Sequence, residues 1–274
     1  MRAAVLAAHR GDLQAPPRAH AGVLTFTAGR LDGHWYGYRS YDTHLGGQQL
    51  VTLHTEPDGD LAAIAVGTAL GAYRTGALGA VAADVLARQD ATTLGVIGTG
   101  RQAWTQMWAL SAVRRWSDIA VHSRTPQRSS AFADRVKTEL HLPARPVGAT
   151  RDAVADRDVV VLATASTTPV LDADWLAPGS AVTTVGPKQA GRAEFGPDLP
   201  RRAHLVATDS LVQLRDYDPP ALLADQPAAS LGAIIAGEHP GRPSPDAITV
   251  YASVGLAGTE VYLLADLLKV AFDQ

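Results

Sequence analysis

The pattern of apolar and polar positions changes character once along the chain. Up to residue 66, short runs at 22–28, 34–41, 48–56 and 61–66 are rich in β-branched or aromatic residues. They are separated by turn formers such as Leu31-Asp32-Gly33 and Pro57-Asp58-Gly59-Asp60, a pattern that predicts an antiparallel meander. An alanine-rich helix over 1–13 precedes them and is expected to stop at Pro16-Pro17, because proline has no amide donor and disfavours helix in the residue before it. Residues 68–88, with Leu70, Leu78, Val81, Val85 and Leu86 at approximate helical spacing, predict a helix that joins two lobes. From residue 92 the texture becomes an alternation of strands at 93–97, 118–122 and 158–163 with helices at 102–113 and 126–140. That order predicts a parallel sheet covered on both faces. Further strands are expected at 180–185, 203–208 and 247–252, and an amphipathic helix over 256–272 closes the chain. There is no internal repeat.

Composition narrows the function classes. With 274 residues, 46% apolar and 19% charged, the chain suits one large or two medium globular domains. The 17 Pro and 25 Gly are spread along it and mark turns, not low complexity. The absence of cysteine excludes disulfides, thiolate metal sites and a cysteine nucleophile, and suits a reducing compartment, so the cytoplasm is expected. A formal charge of -3 with interspersed signs offers no basic stripe for nucleic acid. The Ala/Val/Leu run behind Arg2 superficially resembles a signal peptide, but His9, Arg10 and Asp12 interrupt it. No stretch approaches the ~18–20 apolar residues that a membrane span requires. The nine His are scattered without ligand spacing, so no metal site is expected.

The strongest local motif is Gly98-Thr99-Gly100-Arg101-Gln102-Ala103, directly after the apolar strand Leu94-Gly95-Val96-Ile97 and directly before a helix. In that setting Gly98 allows a tight turn, Gly100 lets the backbone approach a pyrophosphate, and Ala103 permits close helix packing. The helix N-terminus adds free amides and a partial positive charge. The fold class expected is therefore α/β, a Rossmann-type doubly wound parallel sheet plus a smaller α+β lobe with an antiparallel sheet. Residues 1–88 with 256–274 would form the smaller domain, for substrate binding and dimerisation, and 89–255 the dinucleotide-binding domain. At the end of the second strand an acid would bind a ribose 2′-hydroxyl, but the residues are His122-Ser123-Arg124-Thr125. Ser123, Arg124 and Thr125, with Arg128 close behind, are donors suited to a 2′-phosphate, so NADPH is preferred over NADH. Arg124 read alone also fits a solvated loop arginine.

Several segments together resemble the ornithine cyclodeaminase/mu-crystallin family over nearly the whole chain. They are Pro17-Arg18, Tyr73-Arg74-Thr75-Gly76-Ala77, Ala163-Thr164-Ala165-Ser166 and Ser253-Val254-Gly255-Leu256-Ala257, with Leu231-Gly232-Ala233-Ile234-Ile235-Ala236-Gly237 and Gly241-Arg242 also fitting. The resemblance implies a homodimer built through the N-terminal lobe, and a small amino or imino acid substrate whose carboxylate is held by Arg18, Arg39 and Arg74. It also implies that Thr75, Thr164, Ala165, Ser166, Val254 and Gly255 face the nicotinamide. Bidentate guanidinium forks suit a planar carboxylate.

Three departures from the family shape the reading. The chain starts late, a first strand and part of a helix being absent, so the dimer edge is expected to differ or the start to be misassigned. Arg39 stands where lysine is common, and arginine does not give up its proton. Gly186-Pro187-Lys188 replaces a Gly-Ala-Asp stretch of the cyclodeaminases, and a lysine there repels a cationic side-chain amine. The expected function is thus NADPH-dependent reduction of a C=N bond next to a carboxylate, as in a cyclic ketimine, with Lys188 either the proton donor or a solvated loop residue. The alternatives are an amino-acid cyclodeaminase or dehydrogenase and, in another class, a non-catalytic small-molecule-binding protein.

Overall fold

In a computed structural model of the protein, which describes residues 1–42 and 47–272, the chain divides into two compact units, Met1–Arg74 with Gly255–Gln274 and Thr75–Val254. The last two residues of the segment 256–274, assigned from sequence to the smaller domain, lie outside the described residues. The first division falls inside the joining helix and not at residue 88. Within that helix Arg74 is tied to Glu260 of the first unit, whereas Gly76 and Gly79 lie against Thr105 and Gln106 of the second.

The first unit opens with helix α1 (Arg2–Arg10), followed by strands β1 (Leu13–Gln14), β2 (Ala19–Ala21), β3 (Leu24–Leu31), β4 (Trp35–Asp42), β5 (Leu50–Thr55) and β6 (Leu61–Val66). Helix α1 stops short of the expected residue 13. Gly11 takes a left-handed conformation at φ +84 and its N–H donates to Ala8 O, an ending open to glycine at no steric cost. Leu13 and Gln14 are thereby free to pair with β3. The antiparallel sheet runs β1-β3-β4-β5-β6, with β2 also on β3. Side chains alternate across a strand, so on β4 Trp35, Gly37 and Arg39 point to the buried side and Tyr36 and Tyr38 to the other. The C-terminal helix, Thr259–Phe272, packs on the buried side, where Leu13, Trp35, Val51 and Leu53 meet Val261 and Ala265. Glycines at the points of closest approach make room for it: Gly29 faces the backbone of Gly258, and Gly37 faces Val261.

In the second unit helix α2 (Ala69–Leu86) leads into β7 (Thr93–Ile97), α3 (Arg101–Leu110), β8 (Asp118–His122), α4 (Pro126–Leu140), β9 (Ala144–Pro146), α5 (Thr150–Val154) and β10 (Val159–Leu162). After these come β11 (Ala181–Thr184), the short hairpin of β12 (Lys188–Gln189) and β13 (Arg192–Ala193), α6 (Asp198–Arg202), β14 (Leu205–Thr208), α7 (Leu211–Arg215), β15 (Ala228–Ser230), α8 (Leu231–Ala236) and β16 (Thr249–Ala252). Eight strands form a parallel sheet in the order β15-β14-β16-β11-β10-β7-β8-β9. Both faces are covered, as the continuous apolar strands require. Val159 and Val161 of β10 belong to one core with Leu94, Val96 and Met107, and Val160 and Leu162 belong to a second with Val182 and Val250. The doubly wound sheet and the separate antiparallel sheet are the α/β class expected from the sequence. Strand order reverses at β7/β10, so a crevice opens at the carboxyl ends of these strands.

Candidate active site

The glycine motif sits at that reversal. Gly98 has φ +112, and the place of a Cβ on it is taken by the carbonyl oxygen of Ala163, while its N–H donates to His122 O at 3.0 Å. Only glycine meets both demands. Gly100 is the N-cap of α3, with no side-chain cap on the helix, and a Cβ there would meet nothing within 4 Å. Ala103 is fully buried. A tight turn, an open approach and uncapped helix amides are what a pyrophosphate needs, so the residues present fit a dinucleotide.

A cleft runs from this loop and is lined by Gly98, Thr99, Gly100, Ser123, Arg124, Thr125, Arg128 and Thr150, and on its other side by Ala163, Thr164, Ala165 and Ser166. The structure thus brings together the glycine loop, the 2′-phosphate candidates and the segment after β10. Arg124, Thr125 and Arg128 are exposed there. An adjoining cleft is lined by Gly100, Arg101, Gln102, Thr164, Ala165, Gly186, Pro187 and Arg192. Thr75 lies on α2, and its carbonyl accepts from Gln106 Nε2 at 3.2 Å. Val254 is buried, and its N–H donates to Asp209 Oδ1 at 2.9 Å.

Lys188 is 3% exposed, and its ammonium donates to Gly186 O at 2.7 Å, which excludes a solvated loop residue. It does not itself line the adjoining cleft, although Gly186 and Pro187 do.

In the first unit, the three arginines separate into two groups. Around the position that a Cβ on Gly255 would take, Arg18 Nη2 stands at 3.5 Å and Arg74 Nη1 at 3.6 Å; Gly255, at φ +91, borders this pair. Arg39 is turned elsewhere. Its Nη1 donates to Glu260 Oε1, its Nη2 donates to Gln49 Oε1 at 2.7 Å, and its guanidinium carbon lies 4.0 Å over the ring of Tyr41. Arg74 Nη2 donates to the same Glu260 oxygen, so one carboxylate orients both. Burial pushes the Glu260 carboxyl up, but the charges of Arg74 and Arg39 and Arg74's hydrogen bond outweigh it and hold the group below its ordinary value. Burial pulls the Arg39 guanidinium down, against the opposing charge of Glu260.

Two of the residues at these sites escaped the sequence reading. Glu260 gives one faint sign, an acid in the first turn of a helix, which also fits a partner for the helix dipole. Glu194, fully buried in the second unit, gives none. Among the described residues, no group of His, Asp and Glu could hold a metal ion, and no helix is long and apolar enough to cross a membrane.

Comparison with known proteins covers nearly the whole chain. The model of the ornithine cyclodeaminase/mu-crystallin family matches residues 4–267. A Delta(1)-pyrroline-2-carboxylate reductase of Bacillus cereus is 33% identical over 233 residues, covering 82% of this chain and 71% of the relative. The ketimine reductase mu-crystallin of Mus musculus is 26% identical over 252 residues, 92% of this chain and 78% of the relative. The crystal structure of the iminosuccinate reductase of Paracoccus denitrificans in complex with NAD+ superposes with a TM-score of 0.87 at 25% identity, covering 99% of this chain and 90% of that one.

Proposed function

The chain belongs to the ornithine cyclodeaminase/mu-crystallin family, and from that premise we propose that it reduces a C=N bond next to a carboxylate, in a small cyclic imino acid, with NADPH. The observation that carries the reading is the pair of guanidiniums, Arg18 and Arg74, turned toward one point beside Gly255. A planar carboxylate between two such forks is fixed in orientation as well as neutralised. Arg39 acts through Glu260, which holds Arg74 in place. The bound nucleotide supplies the hydride. The chain's part is to hold the pyrophosphate on the amides behind Gly100 and a ribose 2′-phosphate among Ser123, Arg124, Thr125 and Arg128. Lys188 is the candidate acid for the imine nitrogen, a role that requires its side chain to turn off the Gly186 carbonyl. Its ammonium, buried where the cyclodeaminases carry an aspartate, also disfavours a substrate with a cationic side chain.

The outer face of the antiparallel sheet exposes Tyr36, Tyr38, Ile64 and Val66, and this reading makes it the contact of a homodimer. The cysteine-free composition supports a cytoplasmic site of action. The test is loss of NADPH absorbance with a panel of five- and six-membered cyclic imino acids, with NADH and with L-ornithine plus NAD+ run in parallel. Turnover with one ring size is expected. Ammonia release from ornithine, with silence toward every imine, would return the cyclodeaminase reading.

A further inference from the structure

We propose that Glu194 is a positioning residue that fixes the nicotinamide end of the cleft, by bridging the two loops that leave the sheet at β10 and β11. The inference rests on the proposed function and takes the nicotinamide ring to meet Thr164 to Ser166, as the family resemblance implies.

Strands β10 and β11 are parallel neighbours, and the segments after them supply Thr164, Ala165, Gly186 and Pro187 to one cleft wall. The parallel ladder continues past β11 in the bond from Val185 N to Leu162 O, and beyond it the two loops need another tie. Glu194 supplies it from behind. Its Oε2 accepts from Thr164 N at 3.0 Å and from Thr164 Oγ1 at 2.8 Å, and its Oε1 accepts from Gly186 N at 2.7 Å and from Thr184 Oγ1 at 2.8 Å. Four donors around two oxygens is the arrangement of a carboxylate, which accepts and does not donate. The carboxylate is anchored in turn, since Glu194 N donates to Pro187 O and Glu194 O accepts from Val170 N. Gly186 lacks a Cβ where Thr164 O and the Glu194 carboxylate stand, and its own carbonyl is held by Lys188. The peptide units on either side of Gly186 are therefore gripped by opposite charges.

Asp158 provides a comparison at the other end of β10, where its side chain ties that strand to the start of β7. It accepts from Thr92 N, Thr93 N and Thr93 Oγ1 at 2.8–2.9 Å and from Arg88, far along the strands from the carboxyl-end crevice. It is as thoroughly bonded as Glu194, but whereas Glu194's partners Thr164 and Gly186 line a cleft, none of Asp158's partners lines the clefts described above.

Position and charge have separable consequences. Glu194→Gln puts an amide NH2 among donors, which loosens one of the two loops. It also removes a negative charge from behind a wall that carries Arg101 and Arg192. The oxidised nicotinamide ring is cationic and the reduced ring neutral, so the variant should bind the oxidised nucleotide less well relative to the reduced one.

The experiment is fluorescence and calorimetric titration of wild type, Glu194→Gln, Thr184→Val and Asp158→Asn with NADPH, NADP+ and adenosine 2′,5′-bisphosphate, which lacks the nicotinamide half. For Glu194→Gln we expect unchanged affinity for the adenosine fragment and a rise on the order of tenfold in the ratio of the NADP+ to the NADPH dissociation constant. Thr184→Val keeps the charge and removes one donor from the carboxylate, so it should weaken NADPH and NADP+ alike by about threefold with the adenosine fragment unaffected, and it carries the test of position alone if Glu194→Gln does not fold. Asp158→Asn should lose stability with the ratio unchanged. A folded Glu194→Gln with the wild-type ratio overturns the inference, as does a Thr184→Val that binds both nicotinamide nucleotides as tightly as wild type, or an equal change in ratio in Asp158→Asn. Wild-type protein that binds neither nucleotide overturns the proposed function, and the inference with it.

Discussion

Glu260→Gln probes the arginine cluster most directly. The glutamine keeps the shape of the side chain and removes its charge, leaving Arg39 and Arg74, each under a tenth exposed, facing an amide. Removing one partner of a buried charge pair costs about 3–5 kcal/mol. Gln49 and the ring of Tyr41 remain beside Arg39, so the lower figure, about 3 kcal/mol, is expected, or on the order of 6–12 °C in Tm for a chain of this size. The effect on binding should follow: with Arg74 no longer oriented, KM for the imino acid rises while the dissociation constant for NADPH holds. Urea unfolding by circular dichroism and a KM determination read the two effects. Acid adds a third. The folded carboxyl is held below its ordinary value, so its stabilisation is complete above the unfolded carboxyl pKa of about 4.3 and is lost as pH falls through the lower folded value. The gap between wild type and variant should therefore be constant across neutral pH and close only in acid. A variant with the wild-type urea midpoint, or a gap that closes between about pH 6 and 8, would refute the assignment of Glu260 as the holder of the two arginines.

Four other outcomes follow from the geometry. Gly98→Ala, forced to φ +112 against the Ala163 carbonyl, should lose the thermal shift that NADPH gives the wild type; a preserved shift means the turn relaxes at no cost. Arg124→Ala and Arg128→Ala should each raise KM for NADPH by on the order of tenfold and leave NADH unaffected, so equal losses with both nucleotides would remove the 2′-phosphate role. Lys188→Met should lower kcat by on the order of a hundredfold with little change in NADPH affinity, and an undiminished kcat takes the proton donor elsewhere. Ile64→Glu should turn a dimer into a monomer by light scattering, and a variant that stays dimeric places the contact on another face.

Legibility in the sequence tracks how local each determinant is. The glycine loop was readable because turn, approach and packing are imposed within six residues, and each appears in the structure as a conformation, an open space or a buried methyl at Gly98, Gly100 and Ala103. The parallel sheet was readable because continuous apolar runs such as Val159–Leu162 have few other homes. Where helix α1 ends was misjudged because two breakers compete, and the nearer one, Gly11, acts first. Strands β9, β12, β13 and β15, two or three residues each, were missed because such lengths carry no periodicity.

The two missed carboxylates have a common explanation. An arginine or glycine in a motif announces itself by neighbours in the chain, whereas a buried acid is defined by the donors that surround it. For Glu260 these lie 186 and 221 residues away in sequence, and for Glu194 the Thr164 amide lies 30 residues away. Isolated in sequence, each is one acid among the 27 Asp and Glu of the chain, most of which would be solvated. A desolvated charge without such partners is too costly to keep, so finding either acid buried implies the donors before they are seen. Here those donors are the arginines in one unit and the cleft-lining loops in the other, the groups on which the proposed chemistry depends.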